Sequence, residues 1–484
     1  MTTAIKLRKG LHRKSWEMCN FTPAGATGAG FFCTGDKYRL VPHSSGVMFA
    51  INGVSAIWAY TMDQDAWQQI TNSGIAGTFG AGACGEFIPL GMPGGASVNT
   101  ATAGTTTTIT TNRTLLLNMP DVKVRVVAGT GMGYEGTIKS NTIGANAVIT
   151  LNTPNGVAFD ATTQFQIFSG SLWFLNAGTP GFSVYDLATN VWTGKSVTGL
   201  PAWGTGGMIL STQSLVSGEI ETGTSTGTNT STTLNDTSKS WTAGMWVNYQ
   251  VRIKTGTGEG QVRKISANTS NGATVSAAWT VTPDATSIYA FEGDNDALYL
   301  AGNNAVTMYK YSISGNAWST ISPVAARAGA KGAGGMSEWI TNIPEWTAHD
   351  PVNYRQNGRY IYSFRAGGGN ILDIYDIADN TWISGRSYAG QMETFTTGSC
   401  CEYYRGNLYI NKEATGRIYQ FNINGNRLNP YAYNAYVEST VRESDRLMIC
   451  EYQDGAVKLP YMFHYRHNRD ELHRLMMVGE EVTA

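Results

Sequence analysis

Short runs of alternating apolar and polar residues recur along the chain, and each run is bounded by residues that favour turns. Alternation with a period of two is typical of β-strands that bury one face. This pattern predicts an all-β protein built from many short strands. The most apolar runs are VMFAI (47–51), LWFL (172–175), LYLAG (298–302), YIYSF (360–364) and LYI (408–410).

A second pattern follows these runs: an aromatic residue stands seven positions before a Trp, and an Asn or Asp stands two positions before it. Asn, Asp and Gly accept the backbone angles of tight turns, so each copy predicts a β-hairpin. We expect each Trp to begin the next strand and to pack between neighbouring sheets. The copies are Tyr60–Asp65–Trp67, Tyr185–Asn190–Trp192, Tyr311–Asn316–Trp318, Tyr375–Asn380–Trp382 and, in weaker form, Phe421–Asn426–Leu428.

A sixth, degenerate unit follows, with the apolar runs LMIC (447–450) and YMFHY (461–465). Each unit supplies three or four antiparallel strands, and six such units suit radial packing around a channel. Two segments are candidates for completing the last sheet and closing the ring. One is the strand that begins near Trp16, and the other is ELHRLMMV (471–478). The sequence does not decide between them.

The recurring Tyr and Trp resemble the repeat of the kelch family, in which a Gly-rich strand, a Tyr and a Trp recur in every blade. The paired glycines of that family have their nearest match at Gly367, Gly368 and Gly369. The resemblance implies a kelch-like β-propeller. Six blades is the number we expect, and five or seven are the alternatives.

Two insertions interrupt the repeat, because the spacing from Trp67 to Trp192, and from Trp192 to Trp318, is about twice the propeller period. The inserted segments resemble each other, and each contains a GTGxG run and a DAT strand. They predict two related small β-modules, module 1 at 100–168 and module 2 at 222–292. No helix or Lys-Ser/Thr follows GTGxG, so we expect a hairpin turn rather than a phosphate loop. The alignments pair VRVVAGTGMGYEGTIKSNT (124–142) with VRIKTGTGEGQVRKISANT (251–269), and FDATTQFQIF (159–168) with PDATSIYAFE (283–292).

The rest of the chain divides around these modules. Both modules end just before what we expect to be the inner strand of a blade, and the irregular stretch 340–358 precedes YIYSF in the same way. We therefore expect three extensions on one face of the propeller, forming a surface that contacts something large. The predicted ranges are a basic arm at 1–14, propeller at 15–99 (closing strand and first blade), a blade at 169–221 and the remaining blades at 293–484.

Composition narrows the classes of partner. Charged residues make up 14% of the chain, against roughly 25% in average globular proteins, while glycines number 57. The net charge of −1 argues against a broad basic surface that coats nucleic acid. One local exception is the first segment, which is either a solvated terminus or an arm that docks on a partner or on nucleic acid. Its basic residues are Lys6, Arg8, Lys9, Arg13 and Lys14.

The cysteine spacing and the first residues indicate the compartment in which we expect the protein to fold. The six cysteines form no CxxC pair and no metal-ligand spacing, so we expect mostly reduced core residues. No apolar leader and no run of 18 apolar residues is present. We therefore expect synthesis in a cytoplasm without export. A Gly/Thr-rich all-β chain of this kind is normal for a virion component.

Catalytic chemistry has few candidates in the sequence. His464, His467 and His473 lie on the terminal hairpin, but strand alternation scatters such residues between faces, so no metal site is expected. No Tyr and His spacing like that of the kelch-type copper enzyme galactose oxidase stands out. Acidic pairs such as Glu451/Asp454 favour solvated turns over a glycosidase site, and no Gly-x-Ser-x-Gly elbow occurs. We expect no cofactor and no enzymatic activity.

Three classes of function remain open. The one we favour is a virion structural protein, because the modules resemble short β-modules of tailed-phage structural proteins and the whole arrangement resembles short-tail nozzle proteins. That resemblance implies a tail location in the virion, a ring of copies (a hexamer in the nozzle case), contact with tail or head–tail connector proteins, and passing contact with genomic DNA. Within this class, a head decoration or fibre protein is the alternative. The other two classes are a receptor- or carbohydrate-binding tail-attached protein that uses Trp339, Trp346 and Tyr354 and, least favoured, a glycan-acting enzyme.

Overall fold

The structure is a computed structural model of the chain. It describes residues 17–19, 32–35, 47–51, 57–61, 65–70, 72–78, 82–88, 98–115, 119–177, 179–188, 191–200, 203, 207–211, 219–292, 297–302, 306–313, 315–332, 335–340, 343, 345–346, 350, 352–366, 369–391, 393–396, 399–412, 417–433, 446–454, 457–466, 471–477 and 482–483.

Antiparallel sheets of four main strands form the body of the protein, and we number the strands in chain order and the sheets as blades. Blade 1 contains β2 (Phe32–Gly35), β3 (Val47–Ile51), β4 (Ile57–Thr61) and β5 (Ala66–Ile70). Blade 2 contains β6 (Cys84–Ile88), β13 (Ser171–Asn176), β14 (Gly181–Asp186) and β15 (Val191–Lys195). Blade 3 contains β16 (Met208–Ser211), β23 (Ala297–Ala301), β24 (Met308–Ser312) and β25 (Ala317–Thr320).

The other three sheets have the same order with small additions. Blade 4 contains β26 (Met336–Trp339), β27 (Tyr360–Phe364), β28 (Ile371–Asp376) and β29 (Thr381–Ser387). Blade 5 contains β31 (Cys400–Tyr404), β32 (Asn407–Lys412), β33 (Arg417–Asn422) and β34 (Arg427–Tyr433), with β30 (Ala389–Gly390) parallel to β34. Blade 6 contains β35 (Arg446–Asp454), β36 (Val457–Arg466), β37 (Glu471–Met476) and β1 (Glu17–Met18), with β38 (Val482–Thr483) paired to β36.

The blades form a ring. The first strand of each blade contacts the first strand of the next, and β35 of blade 6 returns to β2 of blade 1. A separate cluster of buried apolar side chains fills each contact between neighbouring blades. Burial of apolar area between sheets is the main force that holds such a ring together. The predicted all-β propeller is therefore confirmed.

Blade 6 is assembled from both ends of the sequence. β37 pairs with β36, and β1 then pairs with β37, where Glu17 lies opposite Arg474. The two segments proposed for ring closure are therefore not alternatives, because each supplies one strand of the same sheet. Trp16 itself lies outside the described residues.

The recurring Tyr and Trp lie directly opposite each other on neighbouring strands. In blade 4, for example, the rings of Tyr375 and Trp382 have centroids 5.2 Å apart. Asn380, in the turn between them, has a φ of 49° and accepts the Tyr375 hydroxyl at 2.8 Å. The spacing of the repeat follows from this geometry, because Asn and Asp tolerate positive φ and also supply the acceptor oxygen. The same arrangement occurs at Tyr60–Asp65–Trp67 and Tyr311–Asn316–Trp318, and Tyr185 and Trp192 make the same ring contact.

The two insertions are small six-stranded β-modules that share one strand order. In module 1 six strands close into a barrel, and the six strands of module 2 have the equivalent order in one sheet. The strands of module 1 are β7 (Asn99–Gly104), β8 (Thr108–Thr111), β9 (Lys123–Ala128), β10 (Glu135–Asn141), β11 (Val148–Leu151) and β12 (Gln164–Ile167). Those of module 2 are β17 (Glu219–Thr224), β18 (Thr233–Asn235), β19 (Gln250–Thr255), β20 (Val262–Asn268), β21 (Gly272–Val275) and β22 (Ile288–Glu292).

The position of the modules within their blades differs from the expectation. The apolar runs LWFL and LYLAG, expected as inner strands, belong to β13 and β23, which are second from the centre. The innermost strands of these blades are β6 and β16, which precede the modules in sequence. Both modules therefore interrupt a blade between its first and second strands. The innermost strands lack the Tyr and Trp repeat, so the sequence pattern did not reveal them.

Candidate interaction surface

Three consecutive blades have long connections between their first and second strands. Module 1 fills this position in blade 2, module 2 fills it in blade 3, and residues 340–359 fill it in blade 4. In blade 5 the same connection is a two-residue turn, Arg405–Gly406, with positive φ at both residues. Corresponding connections emerge on the same side of a propeller. We call module 1, module 2 and residues 340–359 the three extensions.

Each module contains the same hydrogen-bonded turn. In module 1 Asp160 accepts hydrogen bonds from the hydroxyl groups of Thr130 (2.8 Å) and Thr162 (2.6 Å). These bonds, that of Thr162 first, lower the pKa of the Asp160 carboxyl. Gly129, at a φ of 75°, leaves no room for a side chain, because a Cβ there would lie 1.9 Å from the Thr162 carbonyl oxygen. In module 2 the corresponding bonds join Asp284 to Thr257 (2.8 Å) and Thr286 (2.6 Å).

The shared GTGxG and DAT sequences therefore have a structural explanation. GTGxG forms the hairpin turn between β9 and β10 in module 1, and between β19 and β20 in module 2. The Asp of DAT binds the Thr of that turn, which fixes the hairpin against the last strand of the barrel. The motif is a turn-forming element of the module fold.

The two modules contact each other through these turns. A Cβ at Gly133 of module 1 would lie 2.4 Å from Cγ of Glu259 in module 2. In the reverse direction, a Cβ at Gly260 would lie 2.9 Å from Cγ of Met132. Met132 aligns with Glu259, and Gly133 with Gly260, so the contact is approximately two-fold. Glycine at both positions permits the close approach of the turns.

A cluster of charged side chains crosses the same boundary. Arg252 of module 2 donates to Glu292 of its own module at 2.8 Å and lies 3.1 Å from Glu135 of module 1. Arg125 of module 1 likewise lies 2.5 Å from Glu135 and 3.3 Å from Glu292. Each arginine therefore pairs with a carboxylate of both modules. Arg252 and Glu292 are almost fully buried, with 3% and 2% of the side chain exposed.

The electrostatics of this cluster favour the charged form of Glu135. Burial alone would raise its pKa, but Arg125, Lys123 and Arg252 outweigh burial and lower the pKa to about 2. Removing one partner of a buried ion pair leaves the other charge uncompensated. The cluster is therefore expected to hold the two modules in one relative arrangement.

Module 2 also contacts the next blade. Tyr249 donates its hydroxyl to the carbonyl oxygen of Asn357 (3.1 Å), and Gln356 donates its amide to that of Met245 (3.1 Å). Asn248 donates to the carbonyl oxygen of Ile377 at 3.2 Å, in the turn after β28. Module 2 thus lies over blade 4, including the end of the third extension.

The third extension in turn contacts blade 5. Trp346 donates its indole N–H to the side chain of Asn424 at 2.6 Å, and Arg355 donates to the backbone oxygen of the same residue. Trp346 is 7% exposed and belongs to the apolar cluster between blades 4 and 5. The structure thus places this candidate partner contact within the chain. The three extensions form a continuous row from blade 2 to blade 5.

The other aromatic residues considered for ligand contact have intramolecular partners as well. Trp339 is 5% exposed and donates its indole N–H to the Gly358 carbonyl oxygen. Tyr354 is partly buried, and the guanidinium of Arg386 lies 4.7 Å from its ring centroid. The basic arm lies outside the described residues. Its members are Lys6, Arg8, Lys9, Arg13 and Lys14.

Four of the innermost strands share a feature that the sequence analysis missed, a Glu followed by an aromatic residue. Glu86, Glu338 and Glu402 are partly exposed on β6, β26 and β31. Glu451 on β35 is fully buried and accepts hydrogen bonds from Tyr404 (2.6 Å) and Arg405 (3.2 Å). The recurrence of Glu-aromatic at the start of four blades is the signal that could have located these strands.

Within the described residues, no three His, Cys, Asp or Glu side chains are grouped as metal ligands. His464 and His473 lie opposite each other on β36 and β37, each 2% exposed, while His467 lies outside the described residues. The same described part of the chain has no helix with the length and apolarity to span a bilayer.

Comparison with known proteins assigns the chain to no family. No protein-family model matches it, and no curated protein matches its sequence. Solved structures that resemble it include a fucose-specific lectin from Aleuria aurantia, at 7% identity over 96% of both chains with a TM-score of 0.36. Another is the WD40 domain of coronin from Toxoplasma gondii, at 9% identity over 97% of this chain and 89% of that chain, with a TM-score of 0.36. A third is U3-55K, at 7% identity over 95% of this chain and 98% of that chain, with a TM-score of 0.35. At these values the neighbours imply nothing about what this chain binds.

Proposed function

We propose that this chain is a non-enzymatic structural protein that joins a larger assembly through its three extensions. The contact between the extensions supports this role most directly. Buried ion pairs join module 1 to module 2, and hydrogen bonds join module 2 to blade 4 and residues 340–359 to blade 5. A surface held in one shape before binding loses less conformational entropy when a partner binds. The row therefore suits a permanent protein contact.

The assembly that we propose is a bacteriophage tail, with copies of this chain arranged as a ring. This part rests on the resemblance of the modules to those of tailed-phage structural proteins and of the whole to short-tail nozzle proteins. The Gly/Thr-rich composition is consistent with it. In this proposal the partners are tail or connector proteins, and the basic arm at 1–14 is a candidate contact with a partner or with genomic DNA.

Two exposed valines offer a matched test of which surface is used. Val352 is 78% exposed and lies in the third extension, and Val324 is 85% exposed beside the outer strand of blade 4. We expect Val352→Glu to weaken self-association or incorporation into the particle, and Val324→Glu to leave both unchanged. Size-exclusion chromatography with light scattering measures the first property. Loss of association in Val324→Glu alone would place the contact on the rim and contradict the proposal.

Deleting the modules tests the same role more severely. Replacing 100–168 or 222–292 with a short Gly/Ser turn should leave a soluble β-rich protein with a cooperative melt, because closing a longer or shorter loop changes the free energy by only about 0.6 kcal/mol per doubling. Assembly should be lost. Complementing a particle that lacks the wild-type protein measures incorporation. Normal incorporation with both modules absent would refute the assembly role, and a monomeric protein that binds or hydrolyses glycans would favour the alternatives.

A further inference from the structure

The chain contains several Asn–Gly pairs, a sequence in which the amide nitrogen of Gly can attack the side chain of Asn. The nitrogen of Gly forms a bond to Cγ of Asn, the bond from Cγ to Nδ2 breaks, and ammonia leaves with the amide proton. Water then opens the cyclic imide at either carbonyl and yields Asp or isoaspartate. The described pairs are Asn155–Gly156, Asn271–Gly272, Asn357–Gly358 and Asn424–Gly425.

In three of these pairs the attacking nitrogen is held elsewhere. Gly272 donates its N–H to the Thr269 hydroxyl at 3.1 Å, and Gly425 donates to the Asn422 side chain at 2.6 Å. Gly358 donates to the Ile340 carbonyl oxygen at 2.9 Å. The nitrogen must break such a bond before it can attack, which slows the reaction.

The Asn side chain is also held in two of these pairs. Asn357 accepts from the backbone of Ile343 at 2.9 Å and donates back to it at 2.8 Å. Asn424 accepts the indole N–H of Trp346 at 2.6 Å. Rotation of these amides towards the following Gly would break further hydrogen bonds.

Asn155–Gly156 differs on both counts. The N–H of Gly156 also makes a hydrogen bond, but it donates to Oδ1 of Asn155 at 2.9 Å, the side chain that the nitrogen would attack. Nδ2 of Asn155, the leaving group, is buried and has no hydrogen-bond partner among the described residues. No atom lies within 4 Å of a Cβ placed on Gly156, so the Gly side of the pair is not packed against other residues. We infer that Asn155 is a modification site of this protein, at which spontaneous deamidation introduces a carboxylate into module 1.

The new charge would lie near the contact between the modules. A Cβ at Gly131 would be 2.7 Å from Nδ2 of Asn155, and the same turn continues to Gly133, which meets Glu259 of module 2. Glu259 is itself partly buried, and burial raises the pKa of its carboxyl. A second carboxylate beside the facing turn would repel it. Deamidation at Asn155 should therefore weaken the contact between module 1 and module 2.

The test is to incubate the purified full-length protein at mildly alkaline pH and to follow each Asn–Gly pair by peptide mapping with mass spectrometry. Each deamidated peptide gains about one mass unit. We expect Asn155 to react about tenfold faster than the other three, the factor that corresponds to about 1.4 kcal/mol, roughly one hydrogen bond. In a urea-unfolded sample all four should react at comparable rates. Equal rates in the folded protein, or a slower rate at Asn155, would overturn the assignment.

Two substitutions test the consequence for the modules. Asn155→Gln removes the five-membered ring route and should stop the mass gain without changing the melting temperature. Asn155→Asp mimics one product and should melt at a lower temperature than Asn155→Gln at neutral pH, with the difference reduced by Glu259→Gln. A melt of Asn155→Asp that equals that of Asn155→Gln would refute the effect on the module contact.

Discussion

The side chain of Asn380 donates from Nδ2 to the carbonyl oxygen of Ser322 at 2.8 Å, and so joins the hairpin of blade 4 to the segment that leaves blade 3. Its Oδ1 accepts the Tyr375 hydroxyl. One turn residue thus bonds both its own blade and the preceding one. Asn316 has the same double role with Tyr311 and the backbone N–H of Ser196, and Asn426 donates to Ser387.

Substitutions of Asn380 should separate the contribution of its hydrogen bonds from that of its positive φ. Asn380→Gly keeps the freedom to adopt positive φ and loses both hydrogen bonds, so we expect a destabilisation of about 1–3 kcal/mol. Asn380→Ala adds a left-handed backbone at a residue with a Cβ, which costs about 1–2 kcal/mol more. Chemical denaturation measures both. Equal stability of the Gly and Ala variants would contradict the role assigned to φ.

The Trp residues of the repeat should contribute mainly through packing between blades. Trp192 and Trp382 are 4% and 5% exposed, and each lies in an apolar cluster that joins two blades. We expect either Trp→Ala variant to lose about 3–5 kcal/mol of unfolding free energy. Val191→Ala is a suitable control, because Val191 is 46% exposed beside Trp192 and its loss should change stability by less than about 0.5 kcal/mol. Wild-type melting of the Trp variants would contradict their placement.

Lys331 is fully buried and should make stability depend on pH in the neutral to alkaline range. Burial first, and then the charge of Arg327, lower the pKa of Lys331 from 10.5 to about 7. Between those values the unfolded chain binds the proton and the folded chain does not. Unfolding free energy should therefore rise with pH, by up to about 1.4 kcal/mol per unit from this group. Denaturation of wild type and Lys331→Met from pH 7 to 9 measures the slope, and an equal slope in both would exclude Lys331 as its source.

The ion cluster between the modules should make the free energy of unfolding depend on pH in the acidic range. Because the pKa of Glu135 is lowered from 4.5 to about 2, its contribution is present above pH 4.5 and is lost as the pH falls towards 2. Glu135→Gln should be less stable than wild type at pH 6, by about 3 kcal/mol at most, and the difference should disappear near pH 2. Lys139→Gln, an exposed residue on the same strand, is the control. If the stability difference between Glu135→Gln and wild type stayed constant from pH 6 to pH 2, the ion pairs of Glu135 would not be its source.

The local parts of the fold were predictable from sequence, and the contacts between distant parts were not. The Tyr375–Asn380–Trp382 spacing encodes a hairpin, because all three residues act within eight positions of the chain. The similarity of the two GTGxG segments likewise revealed two copies of one module. By contrast, Arg125 and Glu292 are 167 positions apart, and nothing in either segment indicates that they pair. The burial of Trp346 could not be predicted for the same reason, since its partner Asn424 lies on another blade.

Ring closure also sets an order of events during synthesis. β1 is made more than 450 residues before its partner β37. Until then the blades already made form an open arc, and the apolar side chains that blades 1 and 6 bury against each other in the closed ring stay uncovered, the kind of surface that recruits other chains. A nascent chain of this length therefore remains exposed to misassembly for most of its translation. Because blade 6 is completed only when β37 pairs with β1, the open arc requires protection by chaperones or by early partners.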